Sequence, residues 1–249
     1  MRIDVQIHVK SPLHLGAGKE DILIDADIVQ DTYGIPYFPA KRFKGLLFES
    51  ALEIAEILET AQMQGAAYFS VPDIYELFGQ GDSETGLCIP NFYVIDYEKK
   101  QKGWRYLQSH FAGVFTRDEI LETYTSVRYQ TAINENGTAR DGSLHNMRVL
   151  EPGIVFEGYI DLLNESDTNK KIIAAALKNL RYAGLKRNRG FGEIRCEVIS
   201  RRKSDMQKVW NSLFISENTS VKNSKKQANQ KKGKNAGKQL VKFKYRKKK

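Results

Sequence analysis

Nine residues near the end of the patterned part of the chain, Gly184–Gly192 (GLKRNRGFG), hold the chemistry for gripping a phosphate backbone. Lys186, Arg187 and Arg189 supply positive charge. Gly184, Gly190 and Gly192 allow close approach and positive φ, and Phe191 offers a ring on which a base can stack. The stretch follows a helical pattern and enters a strand pattern, the reverse of the dinucleotide-binding order, and it lacks the GK[ST] of a P-loop. Taken without context it is also compatible with an ordinary charged helix–strand turn.

Two carboxylates, Asp25 and Asp27, form a second group. Beside a basic surface such a pair can hold Mg²⁺ or act as a general base in phosphoryl transfer. Spacing alone favours solvated strand acids. His14 lies in a glycine-bearing loop with Gly16 and Gly18. The other histidines, His8, His110 and His145, make no HxxxH pair, and Cys88 and Cys196 make no CxxC. A zinc site and a disulfide framework are therefore not expected. No GxSxG or Cys–His signature supports a nucleophilic hydrolase.

The surrounding pattern says how these groups must be carried. Ile3, Val5, Ile7 and Val9 alternate as in a half-buried strand, and Ile22, Ile24, Ala26 and Ile28 alternate again with Asp25 and Asp27. Gly34, Pro36 and Pro39 punctuate a loop. A helix is predicted from Ala40, with Phe43, Leu46, Leu47, Ala51, Ile54 and Leu58 at helical spacing. Its first turn holds Lys41, Arg42 and Lys44, which the helix dipole disfavours unless an anion binds there. Ser70–Gly79 reads as a short capped helix, Leu87–Asp96 as a strand that Pro90 assigns to an edge or a bulge, and TRDE at 116–119 as a capping box. Residues 125–148, with Arg128 and Arg140, read as an inserted hairpin or long loop. Strands are expected at 154–163 and 193–199, helices at 171–180 and 204–214. The order predicts an α+β, ferredoxin-like (RRM-like) antiparallel sheet with an inserted thumb hairpin or loop and a C-terminal helix. The domain is expected over 1–215, with about 97–150 as the thumb region, followed by a disordered lysine-rich tail, 216–249.

The net charge of +9 belongs to that tail. Thirteen of the 39 basic residues and none of the acidic ones lie in 220–249, so the other 219 residues carry 26 basic against 30 acidic side chains. A tail of this kind holds nucleic acid by counterion release or serves as a solvated extension. Ile172–Leu177 is the longest strongly apolar helical run, too short to cross a bilayer. The alternating pattern from the second residue does not read as a signal peptide. A cytoplasmic protein without a membrane partner is expected.

In sequence order, SPLHLGAGKE (11–20), IDADIVQDTYGIPYFPAKRFKGLL (24–47), TSVRYQTAINENGTARDGSLHNMRVLEPGIVFEGYI (125–160) and GLKRNRGFGEI (184–194) resemble the RAMP superfamily of CRISPR-associated proteins, in particular its type III effector branch. The resemblance implies ferredoxin-like folds with a protruding thumb. It implies a backbone subunit that binds CRISPR RNA, displays it to target RNA, and assembles with other effector subunits, including copies of itself or related proteins. It also implies that Asp25, with Asp27 as second choice, cleaves target RNA with Mg²⁺ or Mn²⁺ held by Asp25. The RNA 2′-OH would be the nucleophile and a 2′,3′-cyclic phosphate the product. The implied RNA contacts are His14, Gly16, Gly18, Lys41, Arg42, Lys44, Arg128, Arg140, Lys186, Arg187, Arg189, Gly190, Phe191 and Gly192. Lys41-Arg42 departs from the small pair of many relatives, which keeps open a non-catalytic scaffold or cap subunit. A CRISPR-RNA processing endonuclease, with His14 as its acid–base group, is the third reading.

Deleting 220–249 is expected to weaken non-specific RNA binding and to flatten its dependence on salt, measured by anisotropy across a salt series. An unchanged slope would leave the tail as a solvated extension.

Overall fold

The computed structural model describes residues 1–18, 24–62, 68–79 and 85–199. The expected helix at 204–214 and the lysine-rich tail lie outside the described residues.

The alternating N-terminal segment forms β1 (Arg2–Val9), with Ile3, Val5, Ile7 and Val9 buried. It lies between β7 (Val155–Leu162) and β8 (Ile194–Val198), antiparallel to both. Two short strands, β2 (Tyr37–Phe38) and β4 (Phe92–Val94), extend the sheet to the order β2-β4-β7-β1-β8, while β3 (Leu87–Cys88) pairs with the far end of β7. The segment around Pro90 that separates β3 from β4 breaks the expected 87–96 strand in two.

One face of the sheet is covered by α1 (Ala40–Thr60) and α5 (Asp167–Asn179). Helix α1 turns Phe43, Leu46, Leu47, Ala51, Ala55 and Leu58 inward, as its periodicity predicts. The small residues Ser50 and Ala176 let the two helices approach, and the Ser50 hydroxyl donates to the Ala176 carbonyl at 2.9 Å. Helix α5 begins earlier than its apolar pattern, because Ser166 accepts from the Asn169 amide and caps a polar first turn. Helix α2 (Val71–Phe78) has the expected Ser70 cap, reciprocated by Asp73, and stacks Tyr75 and Phe78 on Phe48. The β1-α1-β4-β7-α5-β8 order is the ferredoxin-like arrangement expected from the sequence.

Between β4 and β7 the chain makes α3 (Tyr97–His110), α4 (Arg117–Glu122) and a separate two-stranded sheet, β5 (Thr125–Gln130) with β6 (His145–Leu150). A hairpin is one of the two forms expected for 125–148, and α4 carries the expected Thr116 cap. Helix α3 is not expected from the sequence. It buries no residue fully, so no apolar stripe announces it. The second alternating segment also differs from expectation. Residues 24–30 form no regular strand but make isolated bridges to three different partners, Gly16, Met147 and Pro36.

An aromatic core joins sheet to helix. Phe43 lies 4.5 Å from Phe92 between ring centres, and Phe38 contacts both Phe43 and Phe156 edge-on. Gly158 on β7 makes room for this cluster: a Cβ there would meet the Phe92 ring at 2.5 Å. Gly158→Ala is therefore expected to destabilise the fold by about 1–3 kcal/mol through overpacking. Urea unfolding should show the lower midpoint with an unchanged slope.

Candidate functional site

Residues 10–17, between β1 and the acidic loop, hold the site together. Leu13, His14 and Leu15 are buried, so their backbone groups need partners. Lys10 and Ser11 donate to the Glu193 carbonyl, and Pro12 accepts from Gly192. Leu13 exchanges both backbone hydrogen bonds with Leu150 of β6. Leu15 accepts from Val29, and Ala17 donates to Asp27. One strap thus touches the glycine-rich loop, the hairpin and the acidic loop.

The glycine-rich loop needs two of its glycines for close packing, one against this strap and one against Ala183 at the loop's own entry. Gly184 has φ +74, and a Cβ there would meet the His14 carbonyl at 2.3 Å; Gly192 has φ +81, with the Ala183 carbonyl 2.0 Å from the Cβ position. Between them Arg187–Arg189 form a single 3₁₀ turn with both arginines exposed. Phe191 is half-buried. Lys186, itself left-handed at φ +59, reaches across to the hairpin. Its ammonium donates to the Gln130 amide oxygen and lies 3.0 Å from His145 Nε2. Burial, with Arg189 nearby, holds its pKa below the usual lysine range. Lys186 therefore ties the basic loop to the end of the β5–β6 pair nearest the hairpin tip.

The acidic loop runs beside β6 on its other flank. The Asp25 amide donates to Asn146 Oδ1 at 2.9 Å, and the Asn146 amide donates to Asp25 Oδ2 at 2.8 Å. Ala26 pairs with Met147 in a parallel bridge, and its carbonyl accepts from the Arg148 amide. Asp27 meets the Arg148 guanidinium at 3.1 Å, and Arg148, only 7% exposed, also donates to Thr125. Three consecutive residues of β6 thus fix three consecutive residues of the loop. Asp25 remains exposed, whereas Asp27 is committed to a buried cation. Among the described residues no group of three His, Cys, Asp or Glu is placed to hold a metal ion. Asp25 can supply one oxygen ligand, a common protein share for Mg²⁺ when phosphates provide others.

The remaining sequence-predicted residues divide by what they touch. Arg42 donates to the Gly16 carbonyl at 2.9 Å, tying the start of α1 to the strap. Lys41 is exposed and Lys44 half-buried. The first amide of α1 is capped from a distance by Asn91 Oδ1, at 2.8 Å. Gly18 (φ +69) and Gly190 (φ +79) have open space around them. Arg128 is paired with Glu151 at 3.1 Å, and Arg140 sits exposed beyond β5. His14 departs from the expected surface contact. It is 1% exposed, with Nδ1 donating to the Arg148 carbonyl at 2.7 Å when the proton is there. It braces the site from behind. Asn146, Arg148, Gln130 and His145 join the site without a motif of their own; of these the sequence marks only His145, as a histidine outside any HxxxH pair.

A match to the RAMP superfamily spans residues 6–195. The chain belongs to the RAMP superfamily. Two chains of known structure show the fold likeness. One comes from the cryo-EM structure of the type III-B Cmr-beta bound to cognate target RNA. It is 15% identical, with TM-score 0.55, covering 83% of this chain and 98% of that chain. The other comes from the apo state of the type III-B Cmr-beta, 15% identical, with TM-score 0.54, covering 81% and 98% respectively. Comparison with curated proteins gave no match. Within this RAMP protein, the arrangement offers a basic edge for a polyanion and an exposed carboxylate held rigidly beside it.

Burial, reinforced by Arg42 and Lys186, pushes the His14 pKa below the ordinary histidine value. The unfolded chain then binds a proton that the folded chain resists. Stability from this group is full above about pH 6.5 and falls as pH drops below it. His14→Gln is expected to flatten that decline, read from urea midpoints between pH 8 and pH 5.

Proposed function

We propose that this chain is a guide-RNA-binding backbone subunit of a type III CRISPR effector complex, and that it cuts target RNA at Asp25. The observation that carries the reading is its RAMP superfamily membership over residues 6–195. The fold shared with the Cmr-beta chains supports the type III assignment. CRISPR RNA lies along the edge made by Lys186, Arg187, Arg189 and the adjoining tip end of the β5–β6 pair, with Lys41 and Lys44 adding charge. Other effector subunits, including copies of this chain or related proteins, flank it in the cytoplasm.

Asp25 is the better placed of the two carboxylates for chemistry. Asp27 already balances buried Arg148, so displacing it leaves an uncompensated charge. Asp25 is exposed, and its Oδ2 accepts from the Asn146 amide. A divalent cation, Mg²⁺ or Mn²⁺, would be shared between Asp25 and the RNA, offsetting negative charge at the phosphate. The carboxylate orients or accepts the proton of the 2′-OH as that oxygen attacks the adjoining phosphorus. The 5′-oxygen leaves and takes up a proton, giving a 2′,3′-cyclic phosphate and a 5′-hydroxyl end.

One observation favours a second reading, a non-catalytic scaffold: the described residues bring together no group of three His, Cys, Asp or Glu that could hold a metal ion. The processing-nuclease reading is weakened, because its acid–base candidate His14 is buried.

The test is to assemble the complex with a defined guide, add end-labelled complementary RNA and Mg²⁺, and compare Asp25→Ala with the unaltered protein. Regularly spaced cuts should slow by about 100- to 10,000-fold while RNA binding persists. Cutting at the original rate would remove Asp25 from the reaction. Binding without cutting by the unaltered complex would establish the scaffold.

A further inference from the structure

The acidic loop continues past its two carboxylates into an aromatic recess. Gln30 joins the two regions with one side chain. Its Nε2 donates to Asp27 Oδ2 at 3.1 Å, and its Oε1 accepts from Arg117 Nε at 3.2 Å. Arg117 opens α4, where the loop presses closely upon it: Gly34, at φ +90, would place a Cβ 2.2 Å from the Arg117 carbonyl. The exposed guanidinium is therefore positioned from both ends, and its other N–H groups meet no acceptor among the described residues.

Beside it lies a recess of about 380 Å³, walled by Tyr37, Tyr93, Tyr97, Asn91, Asp31 and Arg117. The tyrosines form a ladder at the sheet edge. Tyr37 and Tyr93 are cross-strand neighbours with ring centres 5.9 Å apart, and Tyr93 lies 4.4 Å from Tyr97. Tyr97 is the fixed end. Its hydroxyl donates to Asp31 at 2.8 Å and accepts from Gln101. Asp31, the acid in this wall, is already satisfied: it accepts from the Tyr33 and Ile35 amides as well as from Tyr97. What the recess offers to a ligand is half-exposed rings and a fixed cation. The depression is shallow and open to solvent, a shape that suits one face of a planar heterocycle.

We propose that this recess takes an unstacked base of a single-stranded RNA, with Tyr37 and Tyr93 as the stacking surface and Arg117 on the adjoining phosphate. The inference rests on the RNA-binding reading above and adds a site outside the glycine-rich edge. Continuity favours RNA over a protein partner, because a strand passing Asp25 and Asp27 meets Gln30 and Arg117 next along the loop. Aromatic stacking suits a base of any identity. The path ends at the ladder: beyond Tyr93 the same sheet face carries Glu157, Gln6 and Glu197 in register, a poor surface for phosphate.

Fluorescent single-stranded RNA of mixed sequence, titrated into the full-length protein by anisotropy, tests this. Tyr93→Ala and, separately, Tyr37→Ala should weaken binding by about 5- to 100-fold, the range of a lost base–aromatic stack. Tyr93→Phe keeps the ring and should bind as the unaltered protein does. Thermal unfolding of each variant identifies a loss caused by misfolding, in which case Tyr93→Phe and a 4-thiouridine cross-link decide. The cross-link is expected on the peptide containing Tyr93. Full binding by both alanine variants, together with a cross-link confined to the glycine-rich loop, overturns the recess while leaving RNA binding intact. No RNA binding by the unaltered protein overturns the underlying reading with it. Variants that bind RNA fully but lose a neighbouring subunit assign the ladder to a protein contact and overturn the proposal.

Discussion

The site depends on a main-chain constraint. The strap that follows β1 is buried at its centre, Leu13–Leu15, and a buried peptide group without a partner is expensive. Its amides and carbonyls are satisfied by Glu193, Gly192, Leu150, Asp27 and Val29, which belong to three otherwise separate parts of the chain. Satisfying the strap therefore assembles the site. The glycine-rich loop, the hairpin and the acidic loop take their relative positions from one run of backbone.

Side chains then sharpen what the backbone assembles. Lys186 pins the basic loop to the hairpin, Arg42 pins the start of α1 to Gly16, and Asn146 and Arg148 hold the two aspartates. These contacts separate two residues that the sequence presents as near equals. Asp27 neutralises a buried guanidinium and is structural in character. Asp25 keeps an exposed carboxylate with its backbone locked. His14 undergoes a similar reassignment: a polar residue in a glycine-bearing loop becomes a buried brace whose neutral form the fold prefers.

Local signals carried much of this architecture. The alternation of β1, the apolar stripe of α1, and the Ser70 and Thr116 caps each depend on residues within a few positions, and all appear as expected. Helix α3 escaped because a helix that buries nothing fully leaves no periodic trace. Residues 24–30 mimicked a strand because their outward acids alternate with inward apolar residues, yet three partners divide the pairing among them. The partners of the site are distant in sequence. Asn146 is 121 residues from Asp25, Asn91 is 51 from the helix it caps, and Lys186 is 56 from Gln130. No spacing rule reaches that far. The glycines and cations were legible as types, but which of them face solvent is a property of packing.

A site suspended from peptide groups has a consequence for how such proteins diverge. Hydrogen bonds from amide to carbonyl are indifferent to the side chains of the residues that make them. The strap can exchange most of its side chains and still draw the same loops together, provided that Gly184 and Gly192 keep their room. Shape can then outlast sequence, which fits a chain only 15% identical to a Cmr-beta chain of the same fold yet aligned with it over 83% of its length. Drift in the loops is free to alter which ligand is held, and how, without dismantling the frame that holds it.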